Sequence, residues 1–435
     1  MIYAEIFVVL GCIFMGIRMG GIGIGLWGGI GLVILTFGFK LPMGTIPVDV
    51  ILIIMSVITV AAALQASKGM DLLVQYAGHL MRKKPKYINF VAPVITWTMT
   101  IVAGTGFIVF STLPIIAEIS KNAGIRPSRP LASSVVSSQF AVAGSPISAA
   151  MAAMITIMEG ETAVTFLQIM AVCLPASFIA SMAAAFVSSK QGVELQDDEV
   201  YLARLQAGLV TENSHEKQLF GRGAKIAVAL FFLATLFTVL FAAVPGLKPV
   251  YESGKSMATR DIIIVMMYAA ACLMLLLGKT KPEAVIQAPI FRSGMTSVVV
   301  ILGIVTLGTT FVDAHLTEIK HIAGDILTRY PMLLAVVLFG TCALLYSQGS
   351  TSPLIIPIAL SLGVPNWAIL ASFIAITGIF LLPTYPTSLA AMDMDTTGST
   401  RVGKYVFNHP FMLPALIGIL VGVGFGFIWA PMVVA

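Results

Sequence analysis

Four short runs of small and polar residues interrupt otherwise apolar sequence: AGTGF at 103–107, AGSPIS at 143–148, YSQGSTSP at 346–353 and LPTYPTS at 382–388. Their chemistry is that of neutral donors. Hydroxyls, amides and main-chain N–H groups can hold an anion, and none of these runs carries an acid–base pair. Gln139, Gln348 and Tyr385 are the prominent polar side chains near the breaks, each suited either to a ligand or to a hydrogen bond between helices. Proline is favoured in the first turn of a helix, where its missing N–H leaves no acceptor unpaired. Helices are therefore expected to restart at Phe107, Pro146, Pro353 and Pro386. Enzymatic readings lack their parts: His79, His215, His315, His321 and His409 fall in loops or at interfaces, and there is no HExxH or Walker sequence. Asp393 and Asp395, just past a span, read as a solvated turn rather than a metal site, and no cofactor is expected.

A membrane is what positions such runs. Of 435 residues, 58% are hydrophobic and 10% charged, against about 25% charged in an ordinary soluble domain. A spanning helix takes roughly 20 mostly apolar residues, and windows of that kind recur at 3–17, 20–37, 48–64, 163–189, 223–243, 261–278, 294–312 and 410–434. In the first of them Arg18 follows the apolar run instead of preceding it, so the segment reads as a retained helix and not a signal peptide. Non-helical backbone at membrane depth is tolerated only where protein buries it or it lines an aqueous cavity. Four breaks thus ask for one shared cavity, with half-helix N-termini aimed at a bound anion; simple kinks are the plainer alternative. A passive channel would want rings of charge or a continuous polar stripe, whereas the polar residues here are local. Cys12, Cys173, Cys272 and Cys342 sit singly in apolar runs as packing residues. Basic residues at span ends account for the net charge of +5 without invoking nucleic acid.

The polar stretch 190–222 divides the chain into halves 1–189 and 223–435. Superposing them sets Pro114 on Pro353, Gly124 on Gly363, and Leu131, Ala132 and Ser133 on Leu370, Ala371 and Ser372; after a one-residue slip, Pro146, Ser148 and Ala150 meet Pro386, Ser388 and Ala390. Two amphipathic faces also coincide, Met70, Leu73, Ala77, Leu80 and Met81 with Leu316, Ile319, Ala323, Ile326 and Leu327, and read as interfacial helices. Each half then holds three spans, an interfacial helix, a segment whose two pieces are too short to cross (88–121 and 332–361), a broken span (128–158 and 364–390) and a final span, 163–189 in the first half. The short segments read as re-entrant hairpins. The fold expected is an all-α polytopic membrane protein of about 10 spans, built as an inverted repeat because each half crosses an odd number of times. With both termini outside, only Lys40, Lys248, Lys255, Arg260, Lys320 and Arg329 of the 25 Lys and Arg lie on the outer side, as the positive-inside rule asks.

The sequence resembles the anaerobic C4-dicarboxylate transporter (Dcu) family, and its A-type members in particular. The likeness runs through GGIGIG at 20–25, KYI at 86–88, TLPIIAE at 112–118, RPLASSVVSSQ at 129–139, SPISAA at 145–150, ALLYSQ at 343–348, LPTYPTSLAA at 382–391 and TRVGKYVFNHPF at 400–411. It implies carriage of fumarate, succinate, malate and aspartate across a bacterial inner membrane, commonly by exchange, and kinship with dimeric, elevator-type carriers of the ion-transporter superfamily. It also makes Gly104, Thr105, Gly106, Ser145, Pro146, Ser347, Gln348, Thr384, Tyr385 and Pro386 the substrate candidates, joined by Gln139, Ser148, Ser350 and Thr351. Two departures stand out: Phe107 occupies a position where a polar residue is expected, and GSTSP at 349–353 replaces an Ala-rich run. The polar loop 392–404 offers a surface for a membrane sensor partner.

Overall fold

Every main-chain polar group in lipid needs an internal partner, and a helix supplies one within itself. The computed structural model describes residues 2–19, 21–210, 220–319, 325–383, 385–405 and 407–434; among them all regular structure is helical, apart from one isolated bridge between Val250 and Ser256. The chain opens with α1 (Ile2–Met19), α2 (Gly23–Val33, extended by a π-turn Ile34–Gly38), α3 (Val48–Ala66) and the amphipathic α4 (Gly69–Arg82). Next come the first hairpin, α5 (Ile88–Ala103) and α6 (Val109–Asn122), the first broken span, α7 (Ser128–Val142) and α8 (Ala149–Glu161), and then α9 (Phe166–Ser189). After α10 (Glu199–Gln206) follow α11 (Arg222–Ala243), α12 (Thr259–Gly278), α13 (Pro282–Gln287), and α14 (Pro289–Val300) joined through a π-turn Ile301–Val305 to α15 (Thr306–Ala314). Two short helices, α16 (Leu316–Ile319) and α17 (Asp325–Arg329), precede the second hairpin, α18 (Leu333–Leu345) and α19 (Gln348–Ser361). The chain ends with α20 (Asn366–Ser372, continued as a 3-10 stretch Phe373–Phe380), α21 (Pro386–Met394) and α22 (Met412–Val433). Among the described residues, six helices are long and apolar enough to cross a membrane: α3, α9, α11, α12, α14 with α15, and α22.

The helices group into two bodies. One gathers α1–α3, α11, α12, α14 and α15, and the other α5–α9 and α18–α22. Inside the second body contacts recur in pairs. α5 lies on α7 as α18 lies on the Phe373–Phe380 stretch, α7 on α9 as α20 on α22, and α6 on α21 as α19 on α8, while α9 and α22 pack together. In the first body the glycine-rich run has a packing reason. A side chain on Gly25 would overlap the main chain of Val299 and Val300 at the end of α14, and one on Gly28 that of Gly303 and Ile304 in the π-turn, so α2 meets this span backbone to backbone.

Three details differ from the sequence reading. Asp395 is 2% exposed, and its carboxylate accepts from the main-chain N–H of Thr397 (3.0 Å) and Thr400 (2.7 Å) and from the hydroxyls of Thr397 (2.5 Å) and Ser399 (2.8 Å). The DTTGST run thus satisfies a buried carboxylate with its own donors instead of leaving a solvated turn; Asp393 alone is exposed. The polar stretch after α9 is knit in as well: Arg126 pairs with Asp198 at 2.5 Å, Arg401 with Asp198 at 3.2 Å, and Arg129 with Glu194 at 3.0 Å. On α4 the buried face is Met70, Leu72, Val74, Ala77, Gly78 and Met81, with Leu80 exposed, because the helix rests on α6 and α11. Of its counterpart, Ala323 lies outside the described residues, which hold α16 and α17 on either side.

Candidate functional site

Both hairpins turn in the same way. α5 ends at Gly104, φ +69°, and Thr105 then runs extended, its hydroxyl accepting from the Phe107 N–H at 3.3 Å. α18 ends at Tyr346, φ +51°, and Ser347 runs extended, its hydroxyl accepting from the Ser350 N–H at 3.2 Å. A left-handed residue reverses the chain after a helix, and the hydroxyl that follows caps the next one. Glycine reaches that φ freely, whereas a residue with a Cβ pays roughly 1–2 kcal/mol, which Tyr346 carries at the second tip.

The broken spans restart differently. Ser148 caps α8, accepting from the Met151 N–H at 3.1 Å and donating to the Val142 carbonyl at 2.6 Å. Pro386 stands at the first turn of α21, where the sequence placed a restart. Pro146 sits in the turn ahead of α8, and Pro353 lies within α19, which begins at Gln348. In both cases a serine hydroxyl, and not a proline, sets the start.

Three of the four interruptions line one cavity of about 620 Å³, and the helix ends flanking the AGSPIS break reach it through Val142, Ala149 and Ala150. Gly104, Thr105, Gly106, Gln139, Ser347, Gln348, Tyr385 and Pro386 line it together. The rest of the candidates stand behind this wall: the Ser145 hydroxyl donates to the Ile101 carbonyl at 2.7 Å, that of Ser350 accepts from the Ser347 hydroxyl at 2.9 Å, and that of Thr351 donates to the Ser347 carbonyl at 2.7 Å. Ser148 is the cap of α8, Pro146 lies in the break beside it, and Thr384 is outside the described residues. The facing wall comes from the other body, from Ile54, Val57, Ile58 and Ala61 of α3 and Ser293, Gly294, Thr296 and Ser297 of α14. None of the described lining residues is Asp, Glu, Lys, Arg or His.

Gln139 is the polar centre of this wall. It is 2% exposed, and its Nε2 has no hydrogen-bond partner among the described residues. A methyl on Gly106 would overlap that amide, so the first tip approaches it as only glycine allows. Gln348 Nε2 in turn donates to the Gln139 main-chain carbonyl at 3.0 Å, tying the second tip to the first broken span. Sequence reasoning passed over the α14 hydroxyls. Thr296 and Ser297 bond back to Arg292 (3.0 Å) and Ser293 (3.3 Å) as such residues do in any span, and the one available signal was the polar cluster RSGMTS at 292–297.

An all-helical, multi-pass architecture, with a largely apolar cavity between two bodies of helices into which a few amides and hydroxyls point, is that of a membrane transporter. The fold is shared, at 13% identity and a TM-score of 0.53, with the Alcanivorax borkumensis YdaH transporter, over 87% of this chain and 85% of that one. It is shared also with Neisseria gonorrhoeae MtrF, of a class of antimetabolite efflux pumps, at 15% identity and 0.53, over 92% and 84%. The chain belongs to the anaerobic C4-dicarboxylate membrane transporter family, whose model matches residues 1–434. Among curated relatives it is 45% identical to the C4-dicarboxylate transporter DcuA of Wolinella succinogenes, over 99% of each chain. It is 42% identical to DcuA of Escherichia coli K12, over 98% of this chain and 99% of the relative. The protein is a transporter and not an enzyme.

Proposed function

We propose that this chain is a secondary active carrier of C4-dicarboxylates such as fumarate, succinate, malate and aspartate, working by exchange and uptake across a bacterial inner membrane. The carrying observation is that three separate interruptions of apolar helices line one cavity, with the helix ends on either side of the fourth, at Val142 and Ala149, in its wall as well. Each helix N-terminus brings about half a positive charge, and α8, α19, α21 and the helical stretch running on from Gly106 begin around that cavity. A dianion held there is met by helix ends, the Gln139 amide and the Tyr385 hydroxyl, with no cationic clamp among the described lining residues. The names of the curated relatives support this substrate class.

Movement of the α5–α9 and α18–α22 body against the other, elevator fashion, is the reading we favour, since the cavity lies between the two. The paired contacts within the moving body support an inverted repeat with re-entrant hairpins; the distribution of Lys and Arg supports periplasmic termini, and a homodimer is the working unit we propose. A reporter at the C-terminus active only in the cytoplasm would count against that orientation. Counterflow in proteoliposomes tests the carrier itself. Succinate loaded inside should accelerate uptake of labelled fumarate, because only an alternating site is returned by its trans substrate; a passive pore would show no acceleration.

A further inference from the structure

Aromatic rings tie the two hairpin tips together. Phe107, from the first tip, stacks on Tyr385 of the second break with centroids 6.4 Å and planes 10° apart. Tyr346, from the second tip, stacks on the same Tyr385 at 6.4 Å and 22°. Phe110 extends the column from Phe107 at 5.9 Å and 13°, and Phe380 closes on Tyr385 edge-on at 6.3 Å and 68°. The Phe107 main chain is anchored at the tip, its N–H donating to the Thr105 hydroxyl at 3.3 Å. Stacked and edge-to-face rings resist sliding, because the geometry that pairs their quadrupoles is lost on displacement.

A cavity of about 620 Å³ does not by its volume shut out a diacid one methylene longer than succinate. What can measure length is the distance between the groups that meet the two carboxylates. Gln139 lies beside the first tip, and Ser347 and Gln348 form the second. We infer that Phe107 is a specificity-determining residue: through its stack on Tyr385 it fixes the spacing of the two hairpin tips and so restricts the cavity to four-carbon diacids. This rests on the proposed substrate class. A diacid with five or six carbons must then buckle against the rings or leave one carboxylate unmet.

The test compares succinate, glutarate and adipate in counterflow and in ligand-induced shifts of melting temperature, using the wild-type chain, Phe107→Tyr and Phe107→Ala. Discrimination of one methylene in an enzyme pocket runs from about 10- to 200-fold. Wild type and Phe107→Tyr should prefer succinate to glutarate by about 10-fold or more, and Phe107→Ala should lose most of that preference. The melting shifts report the same ratio where turnover is lost, and Phe107→Leu, which removes the stack while keeping bulk, replaces an alanine variant that does not fold. An unchanged succinate-to-glutarate ratio in the variants without a ring overturns the inference alone, as does loss of the ratio in Phe107→Tyr. A wild-type protein that neither exchanges nor binds any of the three overturns the proposed function and this inference with it.

Discussion

Gly106 and Gln139 work as one unit, the glycine making room for an amide whose Nε2 finds no partner among the described residues. Burying such a donor unpaired is unfavourable by about 1–3 kcal/mol, so its retention at the wall of a cavity argues for a ligand that completes it. Gln139→Leu keeps the volume and removes the donor. A hydrogen bond to a charged group contributes about 1.5–3 kcal/mol, and succinate affinity measured by titration should therefore fall about 10- to 100-fold. Gly106→Ala should fall in the same direction by pushing the amide aside. Unaltered affinity in both variants would remove Gln139 from the site. At this scale the sequence was half legible. It named the glycines and Gln139 as residues out of place in apolar helices, but the space that one leaves for the other depends on how α5 and α7 pack. Ser145 and Thr351 looked equally suited to a ligand until their hydroxyls were seen bonded to the carbonyls of Ile101 and Ser347.

The elements that carry the site are two hairpins of one design, a left-handed residue followed by an extended hydroxyl that caps the next helix. Length suggests them in the sequence, and their arms of 16 and 14 residues and of 13 and 14 are shorter than the roughly 20 residues of an ordinary span. The restart at Gln348 could not, because the cap is a serine and the eye is drawn to Pro353. The linker after α9 was legible only as polar sequence. Its folding depends on partners far along the chain, with Asp198 reaching Arg126 before α7 and Arg401 after α21. Burial would raise the Asp198 carboxyl, but the Tyr201 N–H and the Arg401 and Arg126 guanidinium groups outweigh it and hold the carboxyl below its ordinary range. A lowered folded-state pKa gives stability that is present above the unfolded value of about 3.9 and is lost as pH falls below it. Breaking a buried ion pair by removing one partner is unfavourable by about 3 kcal/mol. Asp198→Asn should therefore melt well below wild type at pH 7 and at pH 5, with the gap closing only under about pH 4. Equal melting temperatures at neutral pH would show that the linker is held by other contacts.

For the molecule as a whole, two bodies of helices meet across a cavity with one wall from each. Hydropathy reached the apolar spans and marked the four breaks, because both follow from what lipid demands of a backbone. It did not reach the facing wall, because Ser293, Thr296 and Ser297 sit on an unbroken span whose hydroxyls look ordinary until α14 is placed beside α3. If the bodies move past one another, a cysteine pair tethering α3 to α8, which touch across the boundary, should stop transport until it is reduced; transport undiminished by the tether would rule out that motion. Central to the proposed function is that the dicarboxylate binds in the cavity between the two bodies, lined by the two hairpin tips and Tyr385. The most direct measurement is the rate at which Ser293→Cys, in a chain with its four native cysteines replaced, reacts with a soluble thiol reagent. Succinate should slow that labelling in proportion to its occupancy of the site, and propionate, with one carboxylate, should not. Labelling at the same rate with and without succinate, in protein that still exchanges fumarate for succinate, would contradict the account.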